Sequence, residues 1–328
     1  MKTTLRNLLA LCVACGVMVG ASQTAIAATA KKKVVVTKKV ATKKVATKPV
    51  AKKLKKPVKA VVRRAPVIQD DGAGSIDSIK SAAVAVIDQS TGDVLYEKNA
   101  GAVVPIASIT KLMTAMVALD VQPSLAEELT VSAADVDTIK GTRSRLTVGT
   151  QLSREEMLRL ALMSSENRAA SALSRHYPGG RDAFVAAMNA KARILGLTET
   201  RFADPTGLTP DNVSSARDLV KLVNAAHQYP LIREFSTSEE YQVAVRGRPQ
   251  MFRNTNTLVH SEKWNIGLSK TGYISEAGKC LVMQAWLDDK PTIIVLLDSW
   301  GRLTRIGDAN RIKRWIESLA SSRPAYRG

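Results

Sequence analysis

The chain has 328 residues, 45% of them hydrophobic and 4% aromatic, which is enough apolar material for a core and excludes a wholly disordered chain. It carries 48 Lys and Arg against 29 Asp and Glu, a net charge of +19, and only three cysteines, which excludes a disulfide-stapled miniprotein. Seventeen of the basic residues lie within residues 1–66, which hold no acidic residue, so the rest of the chain keeps 31 basic against 29 acidic residues. The folded part therefore lacks the basic excess of a nucleic-acid-binding domain, and we do not expect nucleic acid as a partner.

Residues 1–27 have the pattern of a cleaved secretory signal peptide. Lys2 and Arg6 precede an apolar stretch from Leu8 to Val19, and Ala25-Ile26-Ala27 is a small-x-small cleavage site. An uncleaved membrane anchor is the alternative, but the apolar stretch is shorter than the about 18 residues of a spanning helix. We therefore expect a secreted, extracytoplasmic protein.

The cysteines support no disulfide in the secreted product. Cys12 and Cys15 would leave with the signal peptide, and Cys280 would be the single remaining thiol. One thiol cannot form an internal bridge, so the fold must be stable without one.

Residues 28–74 are a Lys-rich segment of low complexity. Fifteen basic residues lie between Lys31 and Arg64 with no acidic residue, and Lys-Lys-Val-Ala-Thr occurs at 38–42 and again at 43–47. Such a segment repels itself and cannot bury apolar surface, so we predict a disordered tail or linker. A sharper hypothesis is that it binds anionic envelope polymers or the membrane surface.

Residues 75–328 have the pattern of apolar and polar residues that is typical of one folded domain. The first predicted elements are a hairpin of strands 82–88 and 94–96 around the turn 90–93, followed by a helix over 108–119. The middle of the domain is predicted to be helical: one helix begins at the capping box 152–156 and runs to 163, a second runs to 177, and two more cover 180–195 and 215–227. A hairpin of strands 278–287 and 292–298 and a last helix over 305–319 complete the domain. Strands at both ends with helices between them predict a mixed α/β domain, in which helices flank an antiparallel sheet built from both chain ends.

Several common chemistries lack their motifs. His176, His227 and His260 are scattered without the HExxH spacing of a zinc peptidase. The chain has no P-loop, no GxGxxG fingerprint and no GxSxG elbow. We therefore expect no metal and no cofactor, and no Ser-His-Asp triad of the α/β-hydrolase type.

A different nucleophile is indicated by Ser108-Ile109-Thr110-Lys111. Residues i and i+3 of a helix share one side, so Lys111 can lie against the Ser108 hydroxyl. If burial keeps the lysine neutral part of the time, it can take the serine proton. The serine would also lie at a helix N-terminus, where backbone N–H groups favour developing negative charge. Alone, this pattern is weak, because serine and lysine are common.

Two further patterns strengthen it. Ser165-Glu166-Asn167 lies between two predicted helices, and Lys270-Thr271-Gly272 enters a β-rich segment. Separately they are compatible with a helix cap and a turn. Each occurs once, and SxxK, SxN and KTG follow in the order of the penicillin-interacting serine enzymes.

From about residue 76 onward the sequence resembles the low-molecular-mass penicillin-binding proteins, the D-alanyl-D-alanine carboxypeptidases and endopeptidases. Besides the three motifs, the resemblance rests on the segments 105–108, 202–208, 215–219, 254–256, 270–273 and 277–280. Segments 162–170 and 176–180 are most similar to the periplasmic endopeptidases. The basic tail is outside this pattern. The resemblance implies the serine β-lactamase and penicillin-binding-protein fold, a periplasmic location, and peptidoglycan peptides and β-lactams as partners.

The resemblance also implies the catalytic residues. Ser108 would attack the carbonyl of a D-alanine with Lys111 as the base, and Ser165 and Asn167 would relay protons and hold the substrate amide. Glu166 is expected to be a solvated or structural charge. No ExxLN pattern of a class A β-lactamase is present, so we do not expect efficient antibiotic hydrolysis.

The substrate-binding residues follow from the same resemblance. Lys270 and the Thr271 hydroxyl would bind the carboxylate beside the scissile bond. The backbone N–H groups of Ser108 and Tyr273 would form the oxyanion hole. Gly272 would let the substrate lie along the strand edge.

The motifs leave open which bond is cut. The same pocket serves a carboxypeptidase, which removes a terminal D-alanine, and an endopeptidase, which cuts a D-alanyl cross-link. Only 58 residues follow Lys270, and the extra β-domain and amphipathic helix of typical carboxypeptidases are not among them, so we favour the endopeptidase. A penicillin-binding sensor without turnover is a further alternative.

Overall fold

The computed structural model describes residues 76–301 and 303–321. The predictions of a signal peptide and of a basic tail concern residues 1–74, outside this part of the chain. The described strands are β1 Ala83–Asp88, β2 Val94–Lys98, β3 Val104–Pro105, β4 Glu128–Thr130, β5 Gln151–Ser153, β6 Val213–Ser214, β7 Glu240–Val245, β8 Arg248–Arg253, β9 Asn265–Ile274, β10 Gly278–Leu287 and β11 Lys290–Ser299. The described helices are α1 Lys111–Asp120, α2 Arg154–Met163, α3 Asn167–Arg175, α4 Gly180–Ile194, α5 Ala216–Ala226, α6 Pro230–Thr237 and α7 Thr304–Ser321.

Five strands form one antiparallel sheet in the order β2-β1-β11-β10-β9. Strand β1 from the start of the domain pairs with β11 from its end, as predicted. Strand β1 is buried along its whole length, because helices cover both faces of the sheet. The predicted mixed α/β architecture, with an antiparallel sheet flanked by helices, is confirmed.

The two faces of the sheet contribute to two separate hydrophobic cores. On β10, Cys280 and Val282 point into the larger core, which α1 to α6 complete. Leu281 and Met283 point into the smaller core, which α7 covers. This alternation is the period of two expected of a strand buried on both faces.

Polar contacts fix the ends of several elements. Helix α2 begins with the predicted capping box: the Ser153 hydroxyl accepts from the Glu156 backbone N–H at 3.1 Å, and the Glu156 carboxylate accepts from the Ser153 N–H at 2.8 Å. Buried Asp308 of α7 accepts from the Ser81 backbone N–H at 2.8 Å, which fastens the last helix to the start of the sheet.

The helix predicted to begin at Ser108 begins differently. Residues Ala107–Thr110 form a 3₁₀ turn, and α1 starts at Lys111. Strand β9, the hairpin β7–β8 and helix α6 were not predicted as elements. In the described residues, no helix is both long enough and apolar enough to cross a membrane.

Candidate active site

The turn that carries Ser108 is held between two glycines. A Cβ on Gly207 would stand 2.0 Å from the Ala107 carbonyl oxygen, and one on Gly272 would stand 2.8 Å from the Ile106 oxygen. Gly207 also has a positive φ of 82°. Only glycine at both positions allows the loop and the strand to approach the turn this closely. Ser108 is half-buried between them.

The Lys111 side chain is wholly buried beneath Ser108. Its Nζ lies 2.8 Å from the Ser108 Oγ, 2.8 Å from the Asn167 Oδ1 and 2.6 Å from the Thr206 carbonyl oxygen. The amide and carbonyl oxygens can only accept hydrogen bonds. A neutral amine has two N–H groups, which these two acceptors occupy, so its lone pair is left for the serine hydroxyl.

Burial makes the neutral form accessible. Desolvation lowers the pKa of Lys111 to about 7, while the negative charges of Asp204 and Glu166 act in the opposite direction. A lysine with a pKa near neutrality is suited to act as a general base.

The loop that provides the Thr206 carbonyl is organised by buried Asp204. The Asp204 carboxylate accepts from the Thr206 hydroxyl at 2.5 Å, from the Gly207 N–H at 2.8 Å and from the Thr209 N–H at 3.0 Å. The Thr114 hydroxyl on α1 donates to the Pro205 oxygen at 2.6 Å. The segment predicted only as a familial loop is therefore the support that places an acceptor against Lys111.

Ser165 and Asn167 reach the same centre from the connection between α2 and α3. Ser165 has a positive φ of 62°, which is uncommon for a residue with a Cβ and aims its hydroxyl into the cleft. Asn167 accepts from Lys111 and donates through Nδ2 to the Thr142 hydroxyl at 3.1 Å. The Thr142 hydroxyl in turn donates to Asp137 at 2.6 Å. These contacts fix the amide orientation of Asn167.

Lys270 lies below the cleft rather than in its opening. It is 1% exposed, and its Nζ donates to the Ser165 Oγ at 2.9 Å and to the Thr271 carbonyl at 3.0 Å. Desolvation, together with the charges of Lys111 and Arg305, lowers its pKa well below the usual value. The Thr271 hydroxyl donates to the Thr255 hydroxyl at 2.6 Å.

Strand β9 carries the last two predicted site residues, and Gly272 lies against the turn of the nucleophile. The Gly272 Cβ position would be 3.2 Å from the Ser108 backbone nitrogen, so this strand edge and that N–H group are neighbours. Glycine at position 272 therefore has a packing reason, in addition to the expected one that it lets the substrate lie along the strand edge. Tyr273 is 61% exposed at the rim, with the Lys279 ammonium 4.2 Å from its ring centroid.

Glu166, the middle residue of the second motif, is buried. Its carboxylate accepts from the Ser144 hydroxyl at 2.5 Å and lies 3.7 Å from the Arg145 Nε. Of the two expectations for Glu166, a solvated or a structural charge, the structure shows the second.

Three supporting groups were not predicted from the sequence. They are the Asp204 carboxylate, the Thr142 hydroxyl and Arg305, whose Nη1 donates to the Gly272 carbonyl at 3.2 Å. No spacing rule connects them to the motifs, although the familial loop at 202–208 already pointed to Asp204. Within residues 76–301 and 303–321, no three His, Cys, Asp or Glu side chains are grouped as metal ligands.

The arrangement has what a serine nucleophile needs. Each of two buried lysines contacts a serine hydroxyl, Lys111 that of Ser108 and Lys270 that of Ser165, and Lys111 can be neutral at physiological pH. A neutral Lys111 can activate Ser108 toward a carbonyl carbon without a histidine.

Comparisons with known proteins identify the family. The model of the D-alanyl-D-alanine carboxypeptidase family, peptidase S11, matches residues 70–300. A D-alanyl-D-alanine endopeptidase of Pseudomonas aeruginosa is 50% identical over 76% of this chain and 83% of its own, and one of Escherichia coli is 49% identical over 73% and 78%.

Solved structures agree with this assignment. The DD-transpeptidase of Streptomyces K15 has a TM-score of 0.68 and 27% identity, over 77% of this chain and 100% of its own. A D-alanyl-D-alanine carboxypeptidase of Mycobacterium tuberculosis has a TM-score of 0.67 and 26% identity, over 79% and 97%. The chain belongs to the peptidase S11 family and is a serine-type peptidase; the predicted resemblance and fold are confirmed.

Proposed function

We propose that this chain is a serine DD-endopeptidase that hydrolyses D-alanyl cross-links in peptidoglycan through an acyl-enzyme on Ser108. The observation that carries the proposal is the contact of Lys111 Nζ with the Ser108 Oγ, because its other two partners can only accept. The endopeptidase assignment is supported by the two relatives of that name, which are 50% and 49% identical to the chain.

In the acylation step, the Ser108 oxygen forms a bond with the carbonyl carbon of the D-alanyl residue. Its proton passes to the Lys111 nitrogen. The C–N bond then breaks, and the leaving amine takes up the proton that Lys111 received, relayed through the hydroxyl of Ser165, which Lys270 contacts. Lys111 is then neutral again. The Asn167 amide would hold the substrate backbone through the N–H that Thr142 does not accept.

Negative charge develops on the carbonyl oxygen during this step. The backbone N–H groups of Ser108 and Tyr273 would donate to it, since Gly272 lets β9 approach the nucleophile turn. The carboxylate beside the scissile bond would be bound by the Thr271 hydroxyl and attracted by the charge of Lys270. An anion there would also raise the lowered pKa of Lys270.

A water molecule completes the reaction. It attacks the ester carbon and loses its proton to Lys111. The bond between that carbon and the Ser108 oxygen then breaks, Lys111 returns the proton to the Ser108 oxygen, and the peptide leaves as a carboxylic acid. A β-lactam would acylate Ser108 in the same way. Its leaving nitrogen stays attached to the opened ring and obstructs the water, so β-lactams would inhibit the enzyme.

The proposed location is the periplasm. It rests on the predicted signal peptide at 1–27 and on the bacterial relatives that the chain matches. The basic tail at 28–74 would hold the enzyme near anionic envelope polymers or the membrane surface.

A carboxypeptidase that removes a terminal D-alanine is the second candidate. The matched family carries that name, and a carboxypeptidase of Bacillus subtilis is 30% identical to the chain. The larger identity to endopeptidases favours the first candidate.

Covalent labelling with a fluorescent penicillin tests the acyl-enzyme. Intact-mass measurement should show one adduct on the wild-type chain and none on Ser108→Ala. Ser275→Ala, at another serine outside the site, is the matched control and should label fully. Labelling of the Ser108→Ala variant would refute the nucleophile.

A further inference from the structure

A groove lined by arginines lies beside the hairpin β7–β8. Its volume is about 490 Å³, and its lining consists of Arg145, Thr147, Val245, Arg246, Arg248, Pro249 and Gln250. Three of these seven side chains are cationic and none is acidic. We call it the arginine groove; no step of the proposed reaction uses it.

The tip of the hairpin holds Arg246 in an uncommon conformation. Arg246 and Gly247 connect β7 to β8, and both have positive φ, 51° and 74°. Such two-residue turns favour Asn-Gly or Gly-Gly, so an arginine at the first position is disfavoured by its own backbone. Its guanidinium is nevertheless fixed, because Nη2 donates to the Val148 carbonyl at 2.7 Å.

Arg248 supplies charge that nothing in the described chain neutralises. It is exposed and lies opposite Val245 in the ladder. Among residues 76–301 and 303–321 its side chain has no hydrogen bond or ion pair. The nearest acid on the hairpin in sequence, Glu240, lies at its far end, where it pairs with Arg253 at 3.4 Å.

Arg145 connects the groove to the active site. Its Nη1 donates to the Met251 carbonyl at 2.9 Å, and its guanidinium lies 4.0 Å from the centroid of the Phe252 ring. On its other side, Nε is 3.7 Å from the carboxylate of Glu166, which stands between Ser165 and Asn167. A ligand in the groove would therefore lie next to the segment that carries two site residues.

We propose that the arginine groove binds the carboxylates of a peptidoglycan stem peptide other than the one being cut. This inference rests on the proposed function, which already brings such peptides to the cleft. Guanidinium groups match carboxylates in geometry as well as charge, and the groove is continuous with the site through Arg145. The groove would thereby favour polymeric peptidoglycan over isolated cross-linked fragments.

Binding to insoluble peptidoglycan tests the groove without requiring turnover. The full chain with Ser108→Ala is sedimented with purified peptidoglycan at a series of salt concentrations. Adding Arg248→Gln should weaken binding about three- to fivefold at low salt and reduce the salt dependence. Arg314→Gln, at an exposed arginine of α7, is the control and should have no effect.

Two further ligands, amidated peptidoglycan and anionic vesicles, show whether Arg248 recognises carboxylates or any anionic surface. Peptidoglycan with amidated carboxylates should bind the Arg248→Gln and Arg314→Gln chains equally. Vesicles containing phosphatidylglycerol should also not discriminate between them. The proposal is overturned if both variants bind native peptidoglycan equally, or if Arg248→Gln weakens binding to vesicles or to amidated peptidoglycan as much as to native peptidoglycan.

Activity separates this proposal from the proposed function. With Ser108 intact, Arg248→Gln should slow release of fragments from polymeric peptidoglycan, yet cut a soluble cross-linked dimer and react with penicillin at wild-type rates. If the wild-type chain does not cut the dimer, the proposed function fails while the binding test still decides the groove. If the dimer is cut and Arg248→Gln behaves as Arg314→Gln on the polymer, the groove proposal alone fails.

Discussion

The protonation of Lys111 makes the rate of acylation depend on pH. With a pKa of about 7, the lysine is neutral in about a tenth of molecules at pH 6 and in about nine tenths at pH 8. If only neutral Lys111 takes the Ser108 proton, the rate constant for penicillin acylation should rise about tenfold over this interval and then level off. Stopped-flow fluorescence under pseudo-first-order conditions measures it.

Removing a nearby negative charge tests the electrostatic contribution to the pKa of Lys111. The negative charge of Glu166 raises the pKa of Lys111 against the effect of burial. Glu166→Gln removes that charge and keeps an oxygen for the Ser144 hydroxyl, so the midpoint of the profile should move to lower pH. Glu155→Gln, at an exposed acid of α2, is the matched control and should leave the midpoint unchanged.

The opposite outcomes would refute the reasoning. A rate that is flat between pH 6 and pH 8 would show that the protonation of Lys111 does not limit proton removal from Ser108. A midpoint that moves upward in Glu166→Gln would show that its carboxylate does not act on Lys111 through charge.

Three further predictions follow from packing and burial. Gly272→Ala places a Cβ 2.8 Å from the Ile106 oxygen, so it should lower the free energy of unfolding in urea by about 1–3 kcal/mol and slow acylation. Asp204→Ala leaves buried donors of its loop unpaired, at about 1–3 kcal/mol for each unsatisfied group, and should lower both the melting temperature and the acylation rate. Burial raises the pKa of Cys280 to about 12, so a thiol reagent should modify it only after unfolding, as followed by mass spectrometry in increasing denaturant.

Each of these predictions has its own contrary result. Gly101→Ala is the control for Gly272→Ala, because its Cβ would make an ordinary contact at 3.6 Å, and it should change neither the free energy of unfolding nor the acylation rate. If the Gly272→Ala chain is indistinguishable from the Gly101→Ala chain, the packing argument is contradicted. Asp204→Asn keeps one acceptor oxygen and should fall between the wild type and Asp204→Ala. An Asp204→Ala chain with the melting temperature of the wild type would contradict the role of these hydrogen bonds. Rapid modification of Cys280 in the native chain would contradict its burial.

Local patterns were sufficient to predict much of the fold. The capping box at Ser153 and Glu156 defined the start of α2, and apolar strands at both chain ends predicted the antiparallel sheet. The β-rich segment at Lys270-Thr271-Gly272 was expected, but the bounds of strand β9 were not predicted, because Lys270 and Thr271 look like surface residues although they are buried. Helix α6 and the hairpin β7–β8 are short and partly polar, so their stability depends on tertiary contacts that no local pattern contains.

The motifs located the reacting groups but not their surroundings. Ser108 and Lys111 form one turn of chain, so their contact follows from spacing. The contacts of Lys111 with Thr206 and of Lys270 with Ser165 join residues 95 and 105 positions apart. Only the fold brings such groups together, and the lowered pKa values of both lysines come from that burial.

The most direct test of the central claim is digestion of a purified cross-linked muropeptide dimer, with the products resolved by mass. We expect the wild-type chain to convert the dimer into two monomers and Ser108→Ala to leave it intact. Loss of only a terminal D-alanine would contradict the endopeptidase and establish a carboxypeptidase. Penicillin labelling without any cleavage would instead indicate a sensor.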